Sequence, residues 1–470
     1  MKTRTLFNHQ SWAVFIAVVL FYSFTNTSCR KNMLEQEGLQ TEQLNKDNLL
    51  LNGREFTLVP DANGRLLIDN ANNYYQPGDI LNLVGNFSGV YFYNFSGTAA
   101  NPILIRNGAG APTVIGNPAW NGGSWAEGLV FMNCHHIKLG GRNSKSDFVI
   151  NGSTQPARDA YFDLILRNHT DNFEISNLTI NNGGTGILAK TEPVLSDSAS
   201  WYPNSYMQNL RIHDVTISGT QNESMYIGHT ATYWNLSNNT PKYDTAFTPG
   251  QFYVQPIKWN NVRIYNNYVT GSGADGIQTA AIDQLEVYNN EVTNWALQHN
   301  YGHNGGILIG GRTTNTNTHD NYVHDGWGEM CQFYGSGEFG THIIHNNLFR
   351  DNQAENSGIS MRGTQNAIVQ ITHNTISKSG GALLRINGYT GQNGPQIVNA
   401  NAFIQPRTAG GVIYPSAYIY TENGGAVTEG TGANVNTRFL TVAAANVDVN
   451  NYYLPNAGSP MGASGYRKTP

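Results

Sequence analysis

Two arginines stand in a chain that is sparing with charge: Arg362 in "SGISMRGTQN" and Arg385 in "GGALLRINGY". Each ends a short apolar run that reads as a strand, so each guanidinium would be carried on a pleated surface. A guanidinium is a planar fork of donors matched to a carboxylate, and two brought side by side repel unless an anion lies between them. The occupant could be Glu355 or Asp351 of the chain itself. It could also be an acidic ligand such as a uronic-acid polymer, which supplies carboxylates repeatedly. A second set of reactive groups precedes comparable strands: Glu223, Asp275, His303, Asp325, Glu329 and Glu355 all fall in turns. Carboxylates and an imidazole so placed could exchange protons with a bound substrate.

The elements that must position these residues repeat. "FEISNLTINN", "LRIHDVTISG", "VRIYNNYVTG", "LEVYNNEVTN", "NTHDNYVHDG", "HIIHNNLFRD" and "VQITHNTISK" share one pattern, with Asn177, Asp214, Asn267, Asn290, Asn321, Asn347 and Asn374 in register. The period is in the mid-twenties, lengthened by two insertions. Each unit holds short period-2 strands and an Asn-containing turn, with no helical face of useful length. Several short strands per repeat of that size predict a solenoid, and the absence of a leucine-rich consensus favours a parallel β-helix. Aligned asparagines at one turn would exchange amide hydrogen bonds from coil to coil.

One strand per coil opens after a Gly or polar turn. Aligning these strands sends Ile187, Met225, Ile277, Ile307, Cys331, Ile359 and Ala382 inward. The outward column three residues later reads Lys190, Gly228, Ala280, Gly310, Tyr334, Arg362 and Arg385, with Gln332 one step before Tyr334 and Arg312 one step beyond Gly310. Arg362 and Arg385 are therefore expected on one exposed face, one coil apart. Two long insertions follow the same strand, "TEPVLSDSASWYPNSY" and "ATYWNLSNNTPKYDTAFTPGQFY". Their Trp201, Tyr202, Trp234, Tyr243 and Tyr253 either form a satellite core or, as expected here, wall a groove with rings that cover sugar faces.

Composition bounds the rest. Charged residues make up 13% of the 470 and Gly accounts for 51, while aromatics at 11% are too many for disorder. The net charge of −5 excludes a general nucleic-acid binder, which must neutralise phosphate. A basic start, the apolar "SWAVFIAVVLFYSF" and small residues before Cys29 form an export leader over residues 1–28. The leader resembles that of a bacterial lipoprotein, although Asn26 stands where an apolar residue is usual. Lipidated Cys29 and a polar tether over 29–52 would then hold an exported monomer at the outer membrane or cell surface. Cys134 and Cys331 have no metal-binding spacing and are expected as buried small hydrophobes.

The recurrence resembles right-handed parallel β-helix proteins of the pectate-lyase-like superfamily, which implies an all-β, single-solenoid domain over residues 53–470 with long loops on one edge. "YYQPGDILNLVGNFSGVYF" with "GTAANPILIRN", and "NNYYLPNAGSPMGASG" near the end, are similar to the opening and closing segments of chondroitinase-B-like polysaccharide lyases. "GEMCQFYGSG…SGISMRG" is similar to the lyase segment in which Glu, Lys and Arg occupy successive coils. Glu329 and Arg362 match the Glu and the Arg, and Tyr334 stands near the place of the missing lysine. The resemblance implies β-elimination from an acidic polysaccharide, with Arg362 and Arg385 neutralising the uronate and Tyr334, Lys190, Lys258 or His303 as base. It also implies a calcium ion that the turn acids could hold, and no organic cofactor. "GADGIQ" and "GHNGGILIGG" resemble polygalacturonase-type hydrolases without their adjacent aspartates. That alternative would use two of Asp275, Asp325 and Glu329, whose separation sets retention or inversion. On either reading Gln332 and Arg312 are expected to join Trp201, Tyr202 and Trp234 in binding substrate. A surface glycan-binding protein or adhesin without catalysis is the third reading.

Overall fold

The computed structural model describes residues 53–334, 340–364, 366–388, 394–407 and 417–468. The leader, Cys29 and the tether lie outside the described residues. From Glu55 onward the chain winds through three long parallel sheets of 13, 12 and 12 strands. One coil runs Lys258–Tyr265, Tyr268–Thr270, Ile277–Thr279; the next runs Ile282–Tyr288, Glu291–Thr293, Gly305–Ile309. Each contributes one strand to the back, side and front sheet respectively, and each strand pairs with its counterpart one coil on. The alternation of the sequence is visible in burial: Val262, Ile264, Leu285 and Val287 point inward while Arg263 and Glu286 point out. The inward residues of all three sheets form one continuous core from Leu58 to Tyr418. Among the described residues no helix is long and apolar enough to cross a membrane.

The asparagine ladder is present and longer than the repeats suggested at one end. Asn267, Asn290, Asn321, Asn347, Asn374, Asn401 and Asn436 stack inside the coil corner, all buried. Asn290 Nδ2 donates to Asn321 Oδ1 at 3.0 Å and to the Ile264 carbonyl at 2.9 Å, and the Asn290 backbone N–H donates to the same Oδ1 at 3.1 Å. The pattern repeats at the following rungs. Asn177 and Asp214 do not belong to it. The side-sheet register pairs Thr179 with Thr216 and Thr216 with Tyr268, so Leu178 and Val215 occupy the ladder column. Asn177 and Asp214 sit one residue earlier, at positive φ like Asn266 and Asn289, where asparagine tolerates the left-handed conformation.

In the front sheet, Ile187, Met225, Ile277, Ile307, Cys331 and Ile359 are register partners in sequence and all are fully buried. The next partner is Leu384 rather than Ala382. Gly358 directly precedes Ile359, whereas Ala382 and Leu383 lie between Gly381 and Leu384, so the glycine does not mark the same place in the two coils. Arg385 therefore pairs with Ser360, and the column of Tyr334 and Arg362 continues through Asn387 to Glu422. Cys134 and Cys331 are buried free thiols, both pushed up to about 12 by burial.

Candidate functional site

A bulge at the head of one front strand sets the chemistry. The N–H groups of Met330 and Cys331 both donate to the Gly358 carbonyl at 3.0 Å, and both side chains are buried inward. The extra residue turns Glu329 to the outward face beside Gln332 in spite of their odd spacing. Glu329 is the register partner of Gly305, and the same column continues back through Asp275 to Glu223. Three carboxyls thus share one line along the turn edge of the front sheet, with the side-chain-free Gly305 between Asp275 and Glu329.

Glu329 lies at the centre of a polar network. Its Oε1 accepts from Arg362 Nη2 at 2.7 Å and its Oε2 from Gln332 Nε2 at 2.7 Å, while Arg385 Nη1 stands 3.9 Å away. Arg385 is held by Glu422, with Nε at 2.8 Å and Nη2 at 2.5 Å. The occupants between the two arginines are therefore Glu329 and Glu422. Glu355 pairs with Arg407, and Asp351 pairs with Arg350 and Lys378. Arg362 Nε reaches Ser360 Oγ at 3.3 Å, and among the described residues its Nη1 has no hydrogen-bond partner. Tyr334 is its Cα partner on the adjoining rung and is 56% exposed.

Arg362 and Tyr334 face a cleft of about 670 Å³, bounded also by Thr230, Thr232, Tyr243, His303 and Leu308, with Gly310 and Gly311 in its floor. Small residues in the outward column open this space. A Cβ on Gly310 would lie 2.9 Å from the Thr279 carbonyl oxygen, so the position tolerates little else. Gly228 is obligatory: φ is +80° and a Cβ would fall 1.8 Å from the Ala280 carbonyl. At that level the root of the second insertion covers the face, and Ala280, His229 and Ala231 are all buried. Burial, with Lys190 and Arg312 nearby, holds His229 well below the usual imidazole range.

The two insertions meet in one antiparallel sheet of four strands, Trp201–Tyr202, Tyr253–Pro256, Tyr233–Asn235 and Thr240–Lys242. Trp234, at 5% exposure, forms its core with Leu236 and Val254, and Trp201 packs against them. These indoles are a satellite core and not platforms for sugar rings. Tyr202 packs edge-on against Tyr206, under the Lys258 ammonium at 5.0 Å, on the back sheet. Lys258 is thus remote from the cleft as a base. Tyr253 is tied to Thr248 and packs on Phe247, so Tyr243 is the insertion's aromatic residue that reaches the cleft.

Other expected site residues move too. Arg312, at 3% exposure, is buried and offers nothing to a substrate. Gln332 is likewise buried and serves Glu329. Asp325 belongs to the side sheet, paired with His324 and Arg350. Lys190 is on the front face but pairs with Glu192 at 3.3 Å and lies over the Tyr226 ring. His303 lines the cleft with its Nδ1 3.4 Å from Glu223 and 3.8 Å from Asp275. Asp275 and Glu223 push it up to about 10, which favours the protonated ring and makes it a poor base. Burial raises the Asp275 carboxyl despite the neighbouring His303 and the Gly305 N–H. Glu422, Asn387, Gln278 and Leu308 went unread because each lies in a coil whose role depends on register rather than motif.

Among the described residues one group of His, Cys, Asp and Glu donors converges as a metal site would, Glu223–Asp275–His303, with ligand atoms within 4.8 Å of one another. Calcium takes 6–8 oxygen ligands. A trio with one nitrogen donor suits it poorly.

The sequence matches no protein-family profile and no curated protein. By structure, the chain is similar to the native lacto-N-biosidase of glycoside hydrolase family 136 from Eubacterium ramulus, with a TM-score of 0.51 at 14% identity over 89% of this chain and 72% of that one. XylC in complex with xylose gives 0.42 at 12% identity over 82% and 71%. A mannuronic acid specific polysaccharide family 6 lyase from human gut microbiota gives 0.31 at 11% over 83% and 82%. The similarity is one of fold, a parallel β-helix-like solenoid.

Proposed function

We propose that the protein is an exported enzyme that cleaves an acidic polysaccharide by β-elimination in the front-sheet cleft. The observation that carries this is the pairing of Tyr334 with Arg362 on adjoining rungs, both facing the cleft whose floor is Gly310. Arg362 Nη1 would take the uronate carboxylate and acidify the C5 proton. Tyr334, as the phenolate, would accept that proton at Oη, the C5–H electrons would form the C4–C5 double bond, and the C4–O bond would break, with water protonating the departing oxygen. Arg385, paired with Glu422 and not among the residues that line the cleft, would steady Glu329 rather than touch substrate. Export and attachment through Cys29 are supported by the leader residues.

A second reading has its own observation. Burial raises the Asp275 carboxyl, the direction a general acid needs, and Glu223 lies within 4.8 Å of it, near the ~5–5.5 Å spacing of retaining glycosidases. One assay separates the two: acidic and neutral polysaccharides, scored for the ultraviolet absorbance of an unsaturated uronate and for new reducing ends. Absorbance matched to new ends supports elimination. Ends without absorbance move the chemistry to Asp275 and Glu223. Retention on a glycan with neither signal would leave a binding protein.

A further inference from the structure

The Glu223–Asp275–His303 cluster holds a feature that neither reading of the cleft explains. Asp275 is fully buried, and its Oδ1 is fixed by the Gly305 N–H at 2.5 Å. Its Oδ2 is also buried yet accepts no hydrogen bond from the described residues. A buried carboxylate oxygen without a donor costs several kcal/mol unless something positive meets it. This oxygen lies 3.8 Å from His303 Nδ1, which lies 3.4 Å from a Glu223 oxygen. Those separations exceed the usual ~2.7–3.2 Å of an N–H···O hydrogen bond. Donors 2.0–2.1 Å from a tetrahedral ion stand roughly 3.3–3.4 Å apart, so the 3.4 Å edge already fits, while the 3.8 Å edge and the Glu223–Asp275 edge, within 4.8 Å, would draw in by small side-chain movements around an ion.

We infer that Glu223, Asp275 and His303 bind a divalent transition-metal ion of the zinc class at the edge of the cleft. Two carboxylate oxygens and one imidazole nitrogen, which gives up its proton as the ion binds, form a mixed donor set that favours such an ion over calcium or magnesium, which want oxygen alone. The Gly305 N–H on the distal oxygen of Asp275 supplies the outer-shell support that orients a ligating carboxylate. The fourth position opens to the cleft that His303 lines. The ion would also anchor a wall of that cleft. Residues 297–303 are largely exposed; Leu297 and Gln298 are tied to Ser272, Gly273 and Gln221, and beyond them His299 stacks on Trp327 at 4.7 Å and Tyr301 meets the same ring edge-on.

The test uses the full chain, stripped with chelator and titrated with Co²⁺ as an optical probe. A tetrahedral site gives intense visible absorption at one equivalent, displaced by Zn²⁺ but not by excess Ca²⁺. Loss of an outer-shell partner alone weakens binding ~10–100-fold, so Asp275→Asn and His303→Ala should each weaken it by at least that much. His324→Ala should bind unchanged, since that imidazole is flanked by Asp325 and Glu291 on the side sheet. Zn²⁺ should raise Tm in the wild type and not in His303→Ala, and because His303 is half exposed this variant tests the site even where Asp275→Asn folds poorly. No visible band, a band that survives in His303→Ala, or displacement by Ca²⁺ would each overturn the inference.

Discussion

Arg362 has two jobs on its one side chain, and a double substitution separates them. Arg362→Ala leaves Glu329, whose side chain is 3% exposed, with Gln332 at 2.7 Å and Arg385 at 3.9 Å. Breaking a buried ion pair by removing one partner costs ~3–5 kcal/mol. Arg362 is itself 27% exposed and Arg385 remains near, so about 2–3 kcal/mol is expected here. If Arg362 also takes the uronate carboxylate, the elimination rate should fall by ~10²–10³, the loss typical of one charge-stabilising donor. Adding Glu329→Gln removes the stranded charge, and replacing both partners can be nearly neutral. The pair Arg362→Ala/Glu329→Gln should therefore regain most of the stability in urea unfolding while the rate stays at the level of Arg362→Ala. Recovery of rate and stability together would refute the assignment, for Arg362 would then be no more than the counter-ion of Glu329.

Tyr334→Phe removes only an exposed hydroxyl, so stability should stay within ~0.5 kcal/mol while elimination falls by ~10²–10⁴ if Oη is the base; an unchanged rate rules Tyr334 out. Asn321→Ala strands the Asn290 N–H and Nδ2 and the Val287 carbonyl, and at ~1–3 kcal/mol per orphaned buried group the loss should be about 3–5 kcal/mol, read by denaturant unfolding. His319 is drawn down by burial, but Asp320 at 2.6 Å and Glu286 at 3.2 Å outweigh this and lift it to about 9. Its folded value lies above the unfolded ~6.5, so its contribution is whole below pH ~6.5 and fades as pH rises through about 9. Wild type should lose on the order of 2–3 kcal/mol between those limits relative to His319→Phe, which keeps a ring between Tyr288 and His345.

The architecture was legible because a β-helix repeats its physics. Each coil must bury Ile, Val or Leu at period 2 and turn a corner with a residue that tolerates positive φ, so the same short phrase returns in the sequence. The ladder was legible for the same reason from Asn267 onward. It was misread at Asn177 and Asp214 because asparagine suits both the ladder and the adjoining left-handed corner, and the phrase alone does not say which. The slip at Ala382 has a related origin: Gly-Gly-Ala-Leu-Leu offers several places to begin a strand, and only pairing of Leu384 with Ile359 chooses among them.

The site resisted reading for a different reason. Its reactive groups are defined by what stands one coil away, at sequence distances of 24–52 residues that vary with every insertion. Glu329 reaches the outer face through a bulge recorded by no residue type, and Arg385 became a structural cation because Glu422 arrives two rungs beyond Arg362. Trp201 and Trp234 promised a sugar platform, yet an insertion of that length must bury something to hold itself together, and its largest apolar rings are what it buries. What remains at the cleft is a small set: Arg362, Tyr334, Tyr243 and His303 around a glycine floor. The glycines were in view from the start as members of the outward column. A column that drops from lysine to glycine and alanine and returns to tyrosine and arginine is the trace a cleft leaves in such a sequence, because on a surface built from one strand per rung, space for a ligand is made by omitting side chains.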